Sequence, residues 1–199
     1  TAADPTAQPR LLFFAGSARE KSWNKRLAKL GEAIADANGI KATFADLADY
    51  PMPIYCGDIE AGEGPPDNAR KLKALMSVHT GIFIASPEYN ASFSPLLKNA
   101  IDWVSHIKEA DEPAMQVYRT RVFALGAASP GGMGGLRGLS QLRLVLENGL
   151  NALVLPDQFA VPRAIEAFDE NGHLKNKDSQ EQFKLLIQKL ARAAHVMHG

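Results

Sequence analysis

Leu11-Leu12-Phe13-Phe14-Ala15 is a continuous apolar run that stops at Gly16, the pattern of a strand buried on both faces. Leu27, Leu30 and Ile34 follow at helical spacing, and Asn38-Gly39 supplies a stop signal. The same alternation then recurs along the chain. Thr43-Phe44-Ala45 reads as a short second strand, Gly81-Ile82-Phe83-Ile84-Ala85 as a third, Val122 to Ala127 as a fourth and Leu153-Val154-Leu155 as a short fifth. Between them, a helix is predicted over about Asp67 to Val78. Leu96, Leu97, Ala100, Ile101 and Val104 mark one face of the next helix, and Leu139, Leu142, Val145, Leu146 and Leu150 mark another. Phe183, Ile187, Leu190, Ala194 and Met197 give the stripe of a final helix. Asp49 to Pro66, rich in proline and glycine, reads as a long irregular connection.

Apolar strands alternating with helices require right-handed crossovers and a parallel sheet covered on both faces, an α/β doubly wound architecture. Residues 1–9 lack any apolar period and read as a loose arm, leaving residues 10–199 as a single domain. Lys plus Arg and Asp plus Glu balance at 22 each, which argues against nucleic acid as the main partner. No apolar run approaches the ~20 residues needed to span a bilayer. Cys56 is the sole cysteine and cannot build an internal disulfide framework, so the chain reads as cytoplasmic.

In open α/β sheets, ligands bind beyond the carboxyl ends of the strands where the strand order reverses, which singles out the loops after the first, third and fourth strands. The first, Gly16 to Asn24, combines Ser17, Arg19, Ser22 and Asn24 with a helix start, which is what a phosphate needs. Ser22 and Asn24 equally read as rival N-caps, with Arg19 a solvated charge. A dinucleotide fingerprint would need glycines where Ala18 and Lys21 stand, and no Gly-Lys-Ser/Thr motif is present; this favours a mononucleotide over a dinucleotide or P-loop site. The second loop offers Pro87, Glu88, Tyr89 and Asn90: a rigid edge, a flat ring and an amide, or alternatively a plain turn. The third, Ser129-Pro130-Gly131-Gly132-Met133-Gly134-Gly135, permits close approach of backbone N–H groups to a ligand, or is a flexible connector.

Gly16-Ser17-x-Arg19-x-x-Ser22-x-Asn24-x-x-Leu27, then Pro87-Glu88-Tyr89-Asn90, then Leu97-Lys98-Asn99-Ala100-Ile101-Asp102-Trp103 together resemble the NADPH-dependent FMN reductase family of flavodoxin-like proteins. That family includes quinone, chromate and azo-dye reductases. The resemblance runs from about Leu11 to Val161 and implies a flavodoxin-like sheet of order 2-1-3-4-5 with noncovalent FMN. It also implies that Ser17, Arg19, Ser22 and Asn24 hold the FMN phosphate. Pro87, Glu88, Tyr89 and Asn90 would border the ring system, with Ser129 and Gly131 closing the third side; Gly131 and Gly132 are the candidate backbone donors to the reduced ring.

The implied reaction is hydride transfer from NADPH or NADH to the flavin, then delivery of electrons to a small acceptor such as a quinone, azo dye, chromate or free flavin. No essential side-chain acid or base is expected, because the flavin carries the chemistry. Two substrates needing one flavin face imply ping-pong kinetics. The resemblance further implies a homodimer or homotetramer. The rival is a flavodoxin-type electron carrier that does not itself oxidise nicotinamide, although such carriers are acidic and this chain is neutral. A flavin-free relative used for interaction is a third option. Residues 163–199 carry no motif.

Overall fold

A computed structural model describes residues 8–198, so most of the expected N-terminal arm lies outside the described residues. Five strands form one parallel sheet: β1 (Arg10–Ala15), β2 (Lys41–Ala45), β3 (Gly81–Ala85), β6 (Val122–Ala128) and β7 (Leu153–Val161). Their order is β2-β1-β3-β6-β7, the expected 2-1-3-4-5 when only sheet strands are counted. The helices are α1 (Trp23–Ala37), α2 (Gly57–Glu63), α3 (Asp67–Ser77), α4 (Pro95–His106), α5 (Gln116–Arg119), α6 (Leu136–Leu144), α7 (Ala164–Ala167) and α8 (Lys177–His198). A two-stranded hairpin, β4 (Glu88–Tyr89) with β5 (Ser92–Phe93), stands apart from the sheet.

Side chains alternate across a strand, so the continuous apolar runs feed two cores. Leu11 and Phe13 pack with α1 and α8 around Phe83 and Phe183, while Leu12 and Phe14 pack with α3, α4 and α6 around Phe123 and Leu97. Each such side chain contributes roughly 1.5–3 kcal/mol on burial, which is why a sheet covered on both faces tolerates no polar residue inside these runs. α1 ends where Asn38 caps it and Gly39 takes φ +73°.

Three elements depart from the sequence expectation. The connection before α3 is not wholly irregular: Leu47–Asp49 forms a 3₁₀ turn capped by Asp46, and α2 follows. The fifth strand runs on to Val161 through a bulge, since Phe123 pairs with Val154 but Leu125 pairs with Gln158. Arg143 holds that bulge, its guanidinium donating to the Leu155 carbonyl at 2.6 Å and to Glu147 at 2.7 Å. The Pro-Glu-Tyr-Asn segment is the start of a hairpin, with Asn90 and Ala91 at φ +51° and +65° as a type I′ turn requires.

The Leu97-to-Trp103 segment has a structural task on α4. Asn99 Nδ2 and Trp103 Nε1 donate to the Pro53 carbonyl at 2.8 and 2.7 Å, and Asn99 Oδ1 accepts from the Tyr55 N–H at 2.7 Å. The proline-rich loop is thereby fastened to the helix.

His79, buried at the end of α3, donates from Nδ1 to the Leu75 carbonyl (2.7 Å), and its Nε2 meets the Thr43 hydroxyl at 3.0 Å. Burial, assisted by Arg10 and Arg121, lowers its pKa below the ordinary 6.5. The unfolded chain therefore binds the proton more readily than the native one. Stability from this group is complete above about pH 6.5 and is lost as the pH falls towards the depressed native value, by at most ~1.4 kcal/mol per pH unit. His79→Gln is expected to flatten the fall of the urea midpoint between pH 6.5 and 5. An unchanged pH dependence would assign the titration elsewhere.

Candidate flavin site

β1, β3 and β6 end side by side, and their loops meet at the switch point between β1 and β3. Gly16 lies at the seam: its N–H donates to the Ala85 carbonyl at 2.9 Å, and its carbonyl accepts from the Ser94 hydroxyl at 2.5 Å. A Cβ at Gly16 would stand 2.9 Å from Cβ of Leu97, so glycine is what lets α4 approach the loop.

The first loop leaves most of its donors unused. Ser17 is buried and its Oγ accepts from the Arg19 N–H at 3.3 Å, which curls the chain. Ser22 is the N-cap of α1, accepting from the Lys25 N–H at 3.4 Å. Among the described residues, the N–H groups of Ala18, Glu20, Lys21, Trp23 and Asn24 find no acceptor, and the exposed guanidinium of Arg19 has no partner. Free N–H groups at the positive end of a 15-residue helix, beside an unpartnered guanidinium, are chemistry that fits a phosphate.

Lys25, which the sequence reading passed over, sits beneath this loop. Its buried ammonium donates to the Ala18 carbonyl at 3.2 Å and to Asp46 at 2.6 Å, tying the loop to the end of β2. No local pattern announces the pair, because only the sheet order brings residues 25 and 46 together.

Asn24, expected at the phosphate, has a structural task as well. It is 3% exposed, and its amide spans the Ala128 backbone: Nδ2 donates to the carbonyl and Oδ1 accepts from the N–H, each at 2.9 Å. Both polar atoms of the side chain are thus engaged in holding the start of α1 to the end of β6.

Glu88, expected at the ring border, also carries a structural task. Its carboxylate accepts from the Arg137 guanidinium, with Nε at 2.9 Å, and from the backbone N–H groups of Arg137 (3.1 Å) and Gly138 (3.2 Å). It caps α6, whose own N-cap Gly135 has no side chain to do so. Burial works to raise the Glu88 pKa, but the bonds from Arg137 and Gly138 outweigh it and hold the carboxyl below the usual range. A depressed native value means that this contribution is present above about pH 4.5 and disappears as the pH falls through the native pKa. Glu88→Gln is expected to cost about 1–3 kcal/mol at neutral pH and to lose most of that difference in acid; a pH-independent deficit would contradict the charged cap.

Pro87 is buried, whereas Tyr89 is 47% exposed and Asn90 is exposed at the hairpin tip. Gly138 lets α6 press on the hairpin, since a Cβ there would lie 3.0 Å from the Ser92 carbonyl oxygen.

In the third loop, Gly131 donates its N–H to the Ser129 Oγ at 3.2 Å, so this amide is already occupied. The Gly132 N–H has no acceptor among the described residues and the residue is exposed. Gly134 and Gly135, not singled out from the sequence, are the positions that demand glycine, with φ +63° and +92°.

The sequence profile described as NADPH-dependent FMN reductase matches residues 9–166. An NAD(P)H-dependent FMN reductase of Pseudomonas aeruginosa is 32% identical over 183 residues, covering 91% of this chain and 92% of its own. A probable NADPH:quinone oxidoreductase of Oryza sativa subsp. japonica is 28% identical over 193 residues (96% and 91%). The flavoenzyme NAD(P)H:(acceptor) oxidoreductase of Paracoccus denitrificans shares the fold, with a TM-score of 0.71 at 24% identity over 96% of this chain and 99% of that one. The chain belongs to the NADPH-dependent FMN reductase family and is an FMN-dependent oxidoreductase that draws its electrons from NAD(P)H.

Proposed function

We propose that the three loops hold FMN with its phosphate on Ser17, Arg19, Ser22 and the free N–H groups of the first loop. The ring system then lies between the hairpin tip and the glycine loop. The observation that carries this reading is the unspent donor set at the start of α1, set beside Ala128 by the Asn24 clamp. FMN, when bound, supplies the hydride acceptor and then the electron source. The chain supplies position: Arg19 and the helix start fix the phosphate, Tyr89 and Asn90 face the ring, and the Gly132 N–H offers a preset donor towards charge gained on reduction. Ser129 and Gly131 shape the loop by bonding to each other.

Tyr89, Met133 and Leu136 remain 47%, 53% and 41% exposed, leaving an apolar rim on the loops we assign to the flavin. This rim suits a planar apolar acceptor, and relatives named as quinone reductases support a quinone. We expect a homodimer or homotetramer; Ile54, 84% exposed on the fastened loop, is an apolar side chain available to a second copy, and light scattering checks the state. Among the described residues, no helix is long and apolar enough to cross a membrane.

The deciding experiment adds NADPH anaerobically to FMN-loaded protein. Bleaching of the flavin absorbance within seconds, reversed by a benzoquinone, is expected; a flavin that stays oxidised sinks the reading. In parallel, Arg19→Ala should weaken FMN binding by about 1.5–3 kcal/mol, measured by fluorescence quenching, without lowering the apoprotein melting temperature.

A further inference from the structure

A cavity of about 340 Å³ lies beside the carboxyl end of β7, between α7 and the start of α8. Its apolar floor is Phe159, Val161 and Leu174, all buried. Arg163 and Lys175 line it, and within 4 Å neither has an ionic partner among the described residues. Glu166 is the carboxylate on the same cavity, and Lys175 also borders Asp169 and Glu170 in a neighbouring cleft. Both cations are exposed to solvent at the cavity, where they are free to take an anion.

The turn that presents Arg163 is built at some cost. Arg163 sits at φ +49°, the left-handed region that a non-glycine residue avoids by about 1–2 kcal/mol. It is fixed there by hydrogen bonds to the glycine loop: the Arg163 N–H donates to the Gly131 carbonyl at 3.3 Å, and the Ala164 N–H to the Ser129 carbonyl at 3.0 Å. The cavity is therefore joined, through two backbone bonds, to the third wall of the proposed flavin site. A cavity of this size suits a nucleoside phosphate, its apolar floor matching a base and its two cations a phosphate dianion.

We propose that this cavity takes the 2′-phosphoadenosine end of NADPH, with Arg163 and Lys175 as the residues that prefer NADPH over NADH. The inference rests on the functional reading above, and it adds a location and a reason for the choice of donor. NADH lacks the 2′-phosphate, so it leaves the two cations unpaired.

The test titrates FMN-loaded protein with adenosine 2′,5′-bisphosphate by calorimetry, with 5′-AMP as the comparison. The bisphosphate is expected to bind at least tenfold more tightly than 5′-AMP. The double substitution Arg163→Gln with Lys175→Gln should remove that advantage and lower the NADPH-to-NADH ratio of kcat/KM at least tenfold. Arg163→Lys should retain most of both, and melting curves confirm that each variant is folded. The bisphosphate should compete with NADPH; noncompetitive inhibition would make the cavity a site for a separate nucleotide and overturn the assignment. Bisphosphate affinity and donor ratio equal to the parent in the double variant would overturn it as well. Failure of the functional reading looks different: the parent would oxidise neither nicotinamide, yet bisphosphate binding would still depend on Arg163 and Lys175.

Discussion

Asn24→Ala is expected to lower stability by about 3–5 kcal/mol, because it strips two buried hydrogen bonds and leaves the Ala128 N–H and carbonyl without partners inside the protein. For a chain of this length, that corresponds to a fall of roughly 10 °C in melting temperature. The clamp also sets the start of α1 against the end of β6, so the phosphate loop and the glycine loop lose their common reference, and FMN affinity should fall with stability. Asn24→Asp separates the two bonds: a carboxylate still accepts the Ala128 N–H but opposes the Ala128 carbonyl, so it should be no better than alanine. Thermal melts of apoprotein and flavin-loaded protein check this. A variant that melts like the parent and loses only flavin affinity would return Asn24 to the role of a direct phosphate ligand. Arg19→Ala should show that opposite pattern, since its guanidinium supports nothing else among the described residues.

The contrast between Asn24 and Arg19 shows what the sequence disclosed and where it stopped. The sheet strands were legible because buried parallel strands are written as unbroken apolar runs such as Leu11 to Ala15 and Gly81 to Ala85, whereas their order followed from the family resemblance. The three loops were legible as a group because topology alone brings them to one end of the sheet. Which partner each polar group meets was not. Glu88 stands in a recognisable segment, but its carboxylate bonds to residues 137 and 138, some fifty positions along the chain, where no periodicity reaches. Lys25 and Asp46 stayed hidden for the same reason. The hairpin escaped because Ala91 occupies a positive φ where Gly would be the expected signal, and β7 was cut short in the reading by Pro156-Asp157, which form part of a bulge rather than an end. α2 was obscured by Gly57 and Gly62, poor helix formers in a proline-rich stretch.

Among the glycines of the third loop, the structure separates those that serve the fold from the one that remains free. A Cβ at Gly135 would lie 2.6 Å from Cβ of Ala127 in β6, and one at Gly134 would lie 2.8 Å from the Pro162 nitrogen; both residues have positive φ. Gly135→Val combines the left-handed penalty with overpacking and should cost about 2–5 kcal/mol in the apoprotein. At Gly132 nothing lies within 4 Å of the added Cβ, so Gly132→Val should leave apoprotein stability within about 1 kcal/mol of the parent. Its effect should fall on the flavin. A branched side chain holds the backbone away from the ring, and the Gly132 N–H, unspent in this structure, would then no longer reach charge that accumulates on reduction. The flavin midpoint potential and the rate of reduction by NADPH should both drop in Gly132→Val, and much less in Gly131→Ala, whose N–H is already given to Ser129. Redox titration and stopped-flow reduction of the two variants decide between a donor and a connector: matching potentials and rates would mean that the ring charge is stabilised by other groups and that the loop only joins β6 to α6.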